Sequence, residues 1–410
     1  MPESSEIAER PRVWVPVTTA VASTLPGLLV HFGLFHVPVA YEALCYGAAI
    51  MGAAFMLTWA AEVAQVDISQ TLAIAILAII AVLPEYAVDL FLAFRAGQGD
   101  QEAVHLAVAN MTGANRLLIG IGWATVVLVY WLKTKEREVV MRSEQRTDVG
   151  YLLIASIWAV FLPLRGAISF LDLLVLGGLF VAYIIRAARE QVEEPDLAGT
   201  AEVIGNLKAL PRRAIMLVMF LFSATSILLV AEPFADSLRA IGEEFGISKF
   251  LLIQWVAPLA SEAPEMIIAI LLVLRLKAPN GLGMLISSKV NQWTLLIGTL
   301  PLVFSIGAGA IDSLPLDGRQ QEEVFLTAAQ SLFAVAVISN MKINRLEALA
   351  LLILFAGQLA IPAAAVRIGF AITYLVLFAG MIAFLPGVRN GLWDSLLHVV
   401  GRARTRGPSP

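Results

Sequence analysis

The sequence predicts an all-α integral membrane protein with about 12 transmembrane helices. Of its 410 residues, 59% are hydrophobic and only 15% are charged, whereas a soluble domain carries about 25% charged residues. Apolar stretches of about 20 residues, the length needed to span a bilayer, recur along almost the whole chain. The chain does not show the alternation of polar and apolar residues that is typical of transmembrane strands, which disfavours a β-barrel.

The predicted spans are separated by short polar segments. They cover residues 13–33, 40–63, 70–94, 103–131, 149–164, 168–186, 212–231, 250–274, 282–308, 323–340, 346–364 and 368–386. Each is long enough, or nearly long enough, to cross a bilayer as a helix.

The distribution of Lys and Arg predicts the orientation. If the spans alternate in direction, 20 of the 28 cationic residues lie on the side of the N-terminus and 6 on the opposite side. Cytoplasmic loops are enriched in Lys and Arg. We therefore expect a protein of the plasma (inner) membrane with both termini in the cytoplasm. The two remaining cations, Arg116 and Lys289, lie inside predicted spans.

The longest polar segment, at 186–213, divides the chain into two halves of similar size. It is too short to hold a folded domain, so we interpret it as a solvated connector. The predicted organisation is a first membrane half at 12–187 with a repeat motif at 70–131, a cytoplasmic linker at 188–211, a second membrane half at 212–387 with a repeat motif at 250–308, and a cytoplasmic tail at 388–410.

The two halves contain related motifs. The first reads "LPEYAVDL" and then "VANMTGANRLLIGIG", and the second reads "SEAPEMIIAI" and then "LISSKVNQWTLLIGTLP". Aligning the Pro-Glu pairs matches Glu85 with Glu265, and aligning the shared "LLIG" matches Asn110 with Ser288. Because the two units begin five spans apart, they cross the membrane in opposite directions. Inverted repeats with polar groups near the midplane are typical of secondary transporters.

Four acidic residues lie deep inside predicted spans, where an ionisable side chain costs at least about 2.5–3.5 kcal/mol. Asp89 lies one helical turn after Glu85, and Glu262 lies three residues before Glu265. The second acid thus follows the Pro-Glu pair in the first motif and precedes it in the second motif. Antiparallel helices can therefore bring the four carboxylates around one cavity.

Prolines make further backbone oxygen atoms available near these acids. Pro84 and Pro264 each remove a backbone donor and free a carbonyl group one turn earlier. Carboxylates, free carbonyls and Asn or Ser side chains form an all-oxygen ligand set, which suits hard cations such as Ca²⁺ and also Na⁺. The alternative interpretation is that the acids only pair with Arg116 and Lys289 to hold helices together.

A Pro-Glu helix followed by a helix carrying "N-x-x-G-[SA]-N" resembles the repeats of the cation/Ca²⁺ antiporter superfamily, the sodium/calcium exchangers and their relatives. The first repeat matches at Pro84, Glu85, Asn110, Gly113 and Asn115. The resemblance spans both halves and implies a fold of two inverted five-helix units that move for alternating access.

The resemblance also implies the roles of particular residues. Glu85 and Glu265 would be the central metal ligands for Ca²⁺ or Na⁺, with Asn110 and Ser288 beside them. Asn115 of the matching motif is a further expected ion-binding residue, and so are Asp89 and Glu262, which are additional acids beyond the two shared glutamates.

The second repeat departs from the pattern, since Ser288 stands where Asn is expected and Lys289 follows it; in the first repeat Arg116 follows Asn115. We expect Arg116 and Lys289 to modulate the charge of the site. Lys289 either takes the place of a bound Na⁺ or loses its proton during transport, or else it snorkels or forms a fixed ion pair with Glu262 or Asp89. The coupling ion stays open between Na⁺ and H⁺.

These observations predict a secondary active antiporter that exchanges Ca²⁺ for Na⁺ or H⁺. The alternative is a monovalent cation (Na⁺)/H⁺ antiporter on the same scaffold, with Lys289 suppressing divalent binding. An enzyme is disfavoured, because an aspartyl hydrolase needs two deep Asp residues and only Asp89 is deep, so no catalytic residue is expected.

The expected partners are inorganic cations and the lipid bilayer. No resident cofactor is expected, only the transported Ca²⁺, Na⁺ or H⁺ in the site. The net charge of −4 and the absence of an extended basic tract argue against nucleic acid. The oligomeric state stays open.

Overall fold

Long apolar helices make up most of the chain in the computed structural model, which describes residues 14–67, 83–188, 197, 199–360 and 363–401. The helices are α1 (Val15–His31), α2 (Val39–Ala64), α3 (Leu83–Gly97), α4 (Gln101–Thr134), α5 (Ser143–Arg165), α6 (Phe170–Ala187), α7 (Thr200–Gly205), α8 (Ala209–Phe245), α9 (Lys249–Leu274), α10 (Ala278–Ala308), α11 (Gly318–Ile338), α12 (Arg345–Ala360), α13 (Ala364–Phe384) and α14 (Pro386–Val399). The strands are β1 (Glu138–Val140), β2 (Ala167–Ile168), β3 (Leu314–Pro315) and β4 (Lys342–Asn344).

The all-α membrane architecture predicted from the sequence is confirmed. Within the described residues, 9 helices are long and apolar enough to cross a membrane, and α1 is a shorter apolar helix. Each predicted span has a helix at its position. The span at 70–94 is described only from Leu83, because residues 68–82 lie outside the described part of the chain. The number of spans, 12, stays a prediction.

Two short antiparallel ribbons show how the halves are related. Strand β1, after α4, pairs with β4, after α11, and strand β2, after α5, pairs with β3, after α10. If the two halves are exchanged, α4 and β1 correspond to α10 and β3, and α5 and β2 correspond to α11 and β4. The ribbon of β1 and β4 is thereby mapped onto the ribbon of β3 and β2. This exchange is the relation expected of inverted repeats.

The helices of the two halves pack against each other rather than in separate bundles. Helix α2 packs along α8, α3 packs against the end of α10, and the first half of α4 packs against α9. Glycines permit the closest approaches. A Cβ atom on Gly97 would overlap the Phe304 carbonyl oxygen, and one on Gly113 would overlap the Gln254 carbonyl oxygen. These crossings bring the motif helices α3, α4, α9 and α10 together.

Local irregularities mark the motif helices. Helix α9 contains Pro258 and Pro264 in its interior, and a proline inside a helix leaves the carbonyl four residues earlier without its helical donor. Helices α4 and α10 each contain a π-helical segment, at Leu118–Trp123 and Gln292–Leu296. Such wide turns are frequently found at functional sites; here the first follows the polar residues of its motif, and the second begins at Gln292, a polar residue of its own motif.

The linker helix α7 lies against the ends of α2, α8 and α9. Arg212 on α8 donates to both carboxylate oxygens of Asp67, at 2.8 and 2.7 Å, and Arg275 at the end of α9 donates to Glu202 on α7 at 2.6 Å. Hydrogen bonding from Arg212 lowers the pKa of Asp67 from 3.8 to about 2. Ion pairs thus connect the two halves at this end of the molecule.

The domain boundaries predicted from the sequence stay predictions. Helix α8 begins at Ala209, inside the predicted linker at 188–211. Residues 189–196 and 198 of that linker, residues 402–410 of the predicted tail and residues 1–13 lie outside the described residues.

Candidate cation-binding site

Four carboxylates from the two repeats form one buried cluster. Glu85 and Asp89 come from α3, and Glu262 and Glu265 come from α9; their exposed fractions are 1%, 0%, 2% and 5%. Glu262 lies within electrostatic range of the other three. The structure therefore brings together the four acids that the sequence predicted to share one cavity.

Asn110 on α4 joins the two acids of the first repeat. Its side-chain Nδ2 donates to Glu85 Oε1 at 3.1 Å and to Asp89 Oδ1 at 3.0 Å. This geometry leaves the amide oxygen of Asn110 available, and Oδ1 has no hydrogen-bond partner among the described residues. One amide therefore orients two carboxylates and presents an additional oxygen.

Contacts across the repeats complete the cluster. Ser261 on α9 donates to Glu85 Oε2 at 2.6 Å, and Gln292 on α10 donates to Glu262 Oε1 at 2.5 Å. Ser288, the residue matched with Asn110, lies beside Glu265. Glu85, Asp89 and Glu262 are thus each oriented by a neutral polar side chain, and the contact of Ser261 with Glu85 comes from the opposite repeat.

Several oxygens of this cluster are left without a hydrogen-bond partner in the described part of the chain. They are Asp89 Oδ2, Glu262 Oε2, Glu265 Oε2, Asn110 Oδ1, Ser288 Oγ and Gln292 Oε1. Buried polar atoms in native proteins are nearly always paired, so a concentration of unpaired oxygens indicates a place for a ligand that supplies positive charge or protons. The described residues include no group of three or more His, Cys, Asp or Glu already converged on a metal position.

Arg116 does not pair with these acids. Its Nη2 donates to Glu323 Oε2 on α11 at 2.5 Å, and both side chains are about 3% exposed. Gln254 also donates to Glu323, at 3.0 Å, and the guanidinium lies over the Trp255 ring. The interpretation that the four acids only serve to pair with Arg116 and Lys289 is therefore wrong for the structure described here.

Lys289 also differs from expectation. Its Nζ donates to Asn115 Oδ1 at 2.7 Å and lies 4.0 Å from the centroid of the Trp293 ring. An ion pair with Glu262 or Asp89 was one of the two expectations, and it is not formed. Asn115 is placed with Lys289 rather than with the carboxylates, because its Nδ2 is bound to the Met111 carbonyl of its own helix.

Sequence reasoning missed some of these polar residues. Ser261 and Gln292 lie inside the quoted motifs, so a search for every polar residue near the Pro-Glu pair would have found them. Glu323 carries no such local signal, since it lies 207 residues from Arg116 at the start of a predicted span.

A further buried acid lies outside this cluster. Asp172 is fully buried, accepts from Trp158 at 2.8 Å and forms an ion pair with Arg165.

Comparisons with known proteins agree with this architecture. The sodium/calcium exchanger protein family matches residues 38–188 and 215–364, which correspond to α2–α6 and α8–α12, five long helices in each block. The solved structure of the H⁺/Ca²⁺ exchanger CAX is 42% identical, with a TM-score of 0.91 over 95% of this chain and 98% of that chain.

Two further solved structures share the fold at lower identity. The Ca²⁺/H⁺ antiporter protein YfkE is 18% identical, with a TM-score of 0.57 over 90% of this chain and 100% of that chain. The sodium-calcium exchanger NCX_Mj is 17% identical, with a TM-score of 0.51 over 84% of this chain and 99% of that chain. A comparison with curated proteins gave no match.

Proposed function

The chain belongs to the sodium/calcium exchanger family, and from that premise we propose that it exchanges Ca²⁺ for H⁺ or Na⁺ across a membrane. The observation that carries this proposal is the buried cluster of Glu85, Asp89, Glu262 and Glu265, which lacks a Lys or Arg partner within ion-pair distance among the described residues. Oxygen-rich sites of this kind suit Ca²⁺.

The burial of four acids explains why transport would be an exchange. An isolated ionised carboxylate is very costly in a low-dielectric environment. Four such groups need positive charge, which either a divalent cation or protons can supply. A cluster that binds neither a divalent cation nor protons would carry a large uncompensated negative charge. This charge disfavours the conformational change that exposes the site to the other side of the membrane. Release of one ion is then coupled to the uptake of the other.

We assign the residues as follows. Glu85 and Glu265 are the central ligands, Asn110 and Ser288 supply neutral oxygens beside them, and the carboxylates of Asp89 and Glu262 complete the charge. Ca²⁺ takes 6–8 oxygen ligands, a number that these carboxylates can supply together with the neutral oxygens of Asn110 and Ser288.

Asn115 was expected to be an ion-binding residue, but we assign it a different role. Its amide oxygen accepts the Lys289 ammonium, so we do not assign it as a ligand of the transported Ca²⁺.

H⁺ is the better supported exchange partner. The H⁺/Ca²⁺ exchanger CAX, at 42% identity over 95% of this chain, supports it. The family is one of transporters, so we propose no catalytic residue. The charge distribution of the loops supports the plasma (inner) membrane as the location, with both termini in the cytoplasm.

The experiment is uptake of radioactive Ca²⁺ into proteoliposomes containing the purified protein, with an outward H⁺ gradient and an outward Na⁺ gradient compared side by side. The Glu85→Gln variant is the blank. We expect uptake under at least one gradient and none in the variant. A folded protein that moves no Ca²⁺ under either gradient contradicts the proposal and favours monovalent cation/H⁺ exchange.

A further inference from the structure

The buried side chain of Lys289 makes its hydrogen bond with a neutral group. The side chain is 0% exposed, and no carboxylate lies within ion-pair distance of Nζ in the described part of the chain. Its contacts are the Asn115 amide oxygen at 2.7 Å and the face of the Trp293 ring at 4.0 Å. An oxygen and an aromatic face are both groups that attract a cation.

The other buried cationic residue of the motifs, Arg116, is arranged differently. Both cations are buried, but Arg116 has the carboxylate of Glu323 at 2.5 Å. The charge of Arg116 is therefore compensated locally, whereas the charge of Lys289 is not.

The segment of α10 that carries Lys289 also contacts the carboxylate cluster. Ser288, the residue before Lys289, lies beside Glu265, and Gln292, one turn later, donates to Glu262. Lys289 thus stands on the segment of α10 that contacts both acids of α9, while its ammonium extends to the opposite repeat.

We propose that Lys289 is a specificity-determining residue that makes Ca²⁺ exchange independent of Na⁺. The ammonium is a monovalent cation tethered to the chain. It occupies the Asn115 amide oxygen, which could otherwise serve as a ligand for Na⁺, so no second monovalent cation can bind at that oxygen. The inference rests on the proposed function, and it selects H⁺ over Na⁺ as the exchange partner.

The test uses purified full-length protein in proteoliposomes, with Ca²⁺ uptake driven by an outward H⁺ gradient. Na⁺ is added either inside or outside the vesicles. In the reference condition it is replaced by an equal concentration of choline. Lys289→Ser removes the ammonium and leaves space and an oxygen beside Asn115. Lys289→Met removes the charge but fills the space with an apolar chain of similar length.

We expect Ca²⁺ uptake by the wild-type protein to be the same in Na⁺ and choline. In Lys289→Ser, Na⁺ on the uptake side should inhibit several-fold, and Na⁺ on the opposite side should stimulate uptake. Lys289→Met should stay insensitive to Na⁺. A residue with only a packing role would change the amount of folded protein but not the response to Na⁺.

Two outcomes overturn the inference while leaving Ca²⁺ exchange in place. One is wild-type uptake driven by a Na⁺ gradient, which needs no variant and so stands even if the variants fail to fold. The other is H⁺-driven uptake by Lys289→Ser that is unaffected by Na⁺. Failure of the proposed function is distinguishable from both, because the wild-type protein would then move no Ca²⁺ at all.

Discussion

Ser261 Oγ donates a 2.6 Å hydrogen bond to Glu85 Oε2, linking the proline-containing helix of the second repeat to the carboxylate of the first. The two residues are 176 positions apart in the chain, and both are buried. The cluster is therefore one site built by both repeats rather than two separate acidic pairs. Any movement of α3 relative to α9 has to lengthen or break this bond.

Replacing Ser261 by Ala is expected to weaken Ca²⁺ binding without removing a carboxylate. The loss of a partner that orients a metal ligand typically costs about 10–100-fold in affinity, so the Ca²⁺ concentration for half-maximal uptake should rise by about that factor. Ser223→Ala is the matched control, because Ser223 is also buried but its hydroxyl has no hydrogen-bond partner among the described residues. Equal concentration dependence in the two variants would refute the role of Ser261.

The pair formed by Arg116 and Glu323 should be needed for stability more than for ion binding. Arg116→Met leaves the buried Glu323 carboxylate without its closest cation, and breaking a buried pair typically costs about 3–5 kcal/mol. The double variant Arg116→Met with Glu323→Gln should recover much of this loss, because the uncompensated charge is removed. Thermal unfolding of the three proteins in detergent measures the effect. A double variant less stable than Arg116→Met alone would contradict it.

Gly113 should not tolerate a side chain. A Cβ atom there would overlap the carbonyl oxygen of Gln254 on α9, and backbone cannot move aside as a flexible side chain can. Gly113→Ala is expected to destabilise the protein by about 1–3 kcal/mol, the usual cost of overpacking, and to reduce transport.

Gly178→Ala is the control for this change, since a Cβ at Gly178 meets no atom within 4 Å. The control should be neutral or slightly stabilising, because Ala favours the helix by about 1 kcal/mol over Gly. Similar melting temperatures for the two variants would show that α4 and α9 are not in the close contact described.

The ion pairs of Asp67 predict a pH dependence of stability. Hydrogen bonding from Arg212 lowers the pKa of Asp67 from 3.8 to about 2 in the folded protein. A lowered folded-state pKa gives stability that is fully present above 3.8 and is lost as the pH falls through about 2. The wild-type melting temperature should therefore exceed that of Asp67→Asn at neutral pH, and the difference should shrink between pH 3.8 and about 2. A difference that stays constant over this range would contradict the assignment.

Much of the site follows from the sequence because its signals are local. Glu85 and Glu265 are recognisable as acids beside a proline in apolar segments, and the "LLIG" alignment matches Asn110 with Ser288. The high cost of burying a charge makes such residues conspicuous. The inverted relation of the halves also follows from counting spans, and it is confirmed by the symmetry of the two ribbons.

The remaining features depend on contacts between distant parts of the chain. The partner of Arg116 is 207 residues away, so no periodicity or motif could identify it. The second motif allows Lys289 to pair with Glu262, yet its long side chain extends to Asn115 on another helix. The packing of four helices decides where a flexible side chain points, and this packing cannot be read from a linear sequence pattern.

Direct Ca²⁺ binding to the purified protein tests most directly whether the carboxylates of both repeats form one site. Titration calorimetry of the wild-type protein in buffers of different ionisation enthalpy measures both binding and proton release. We predict one class of Ca²⁺ site with proton release on binding, abolished equally by Glu85→Gln and by Glu265→Gln. Wild-type affinity retained in either variant would contradict the account, because a single site built by both repeats cannot lose a central ligand and bind Ca²⁺ unchanged.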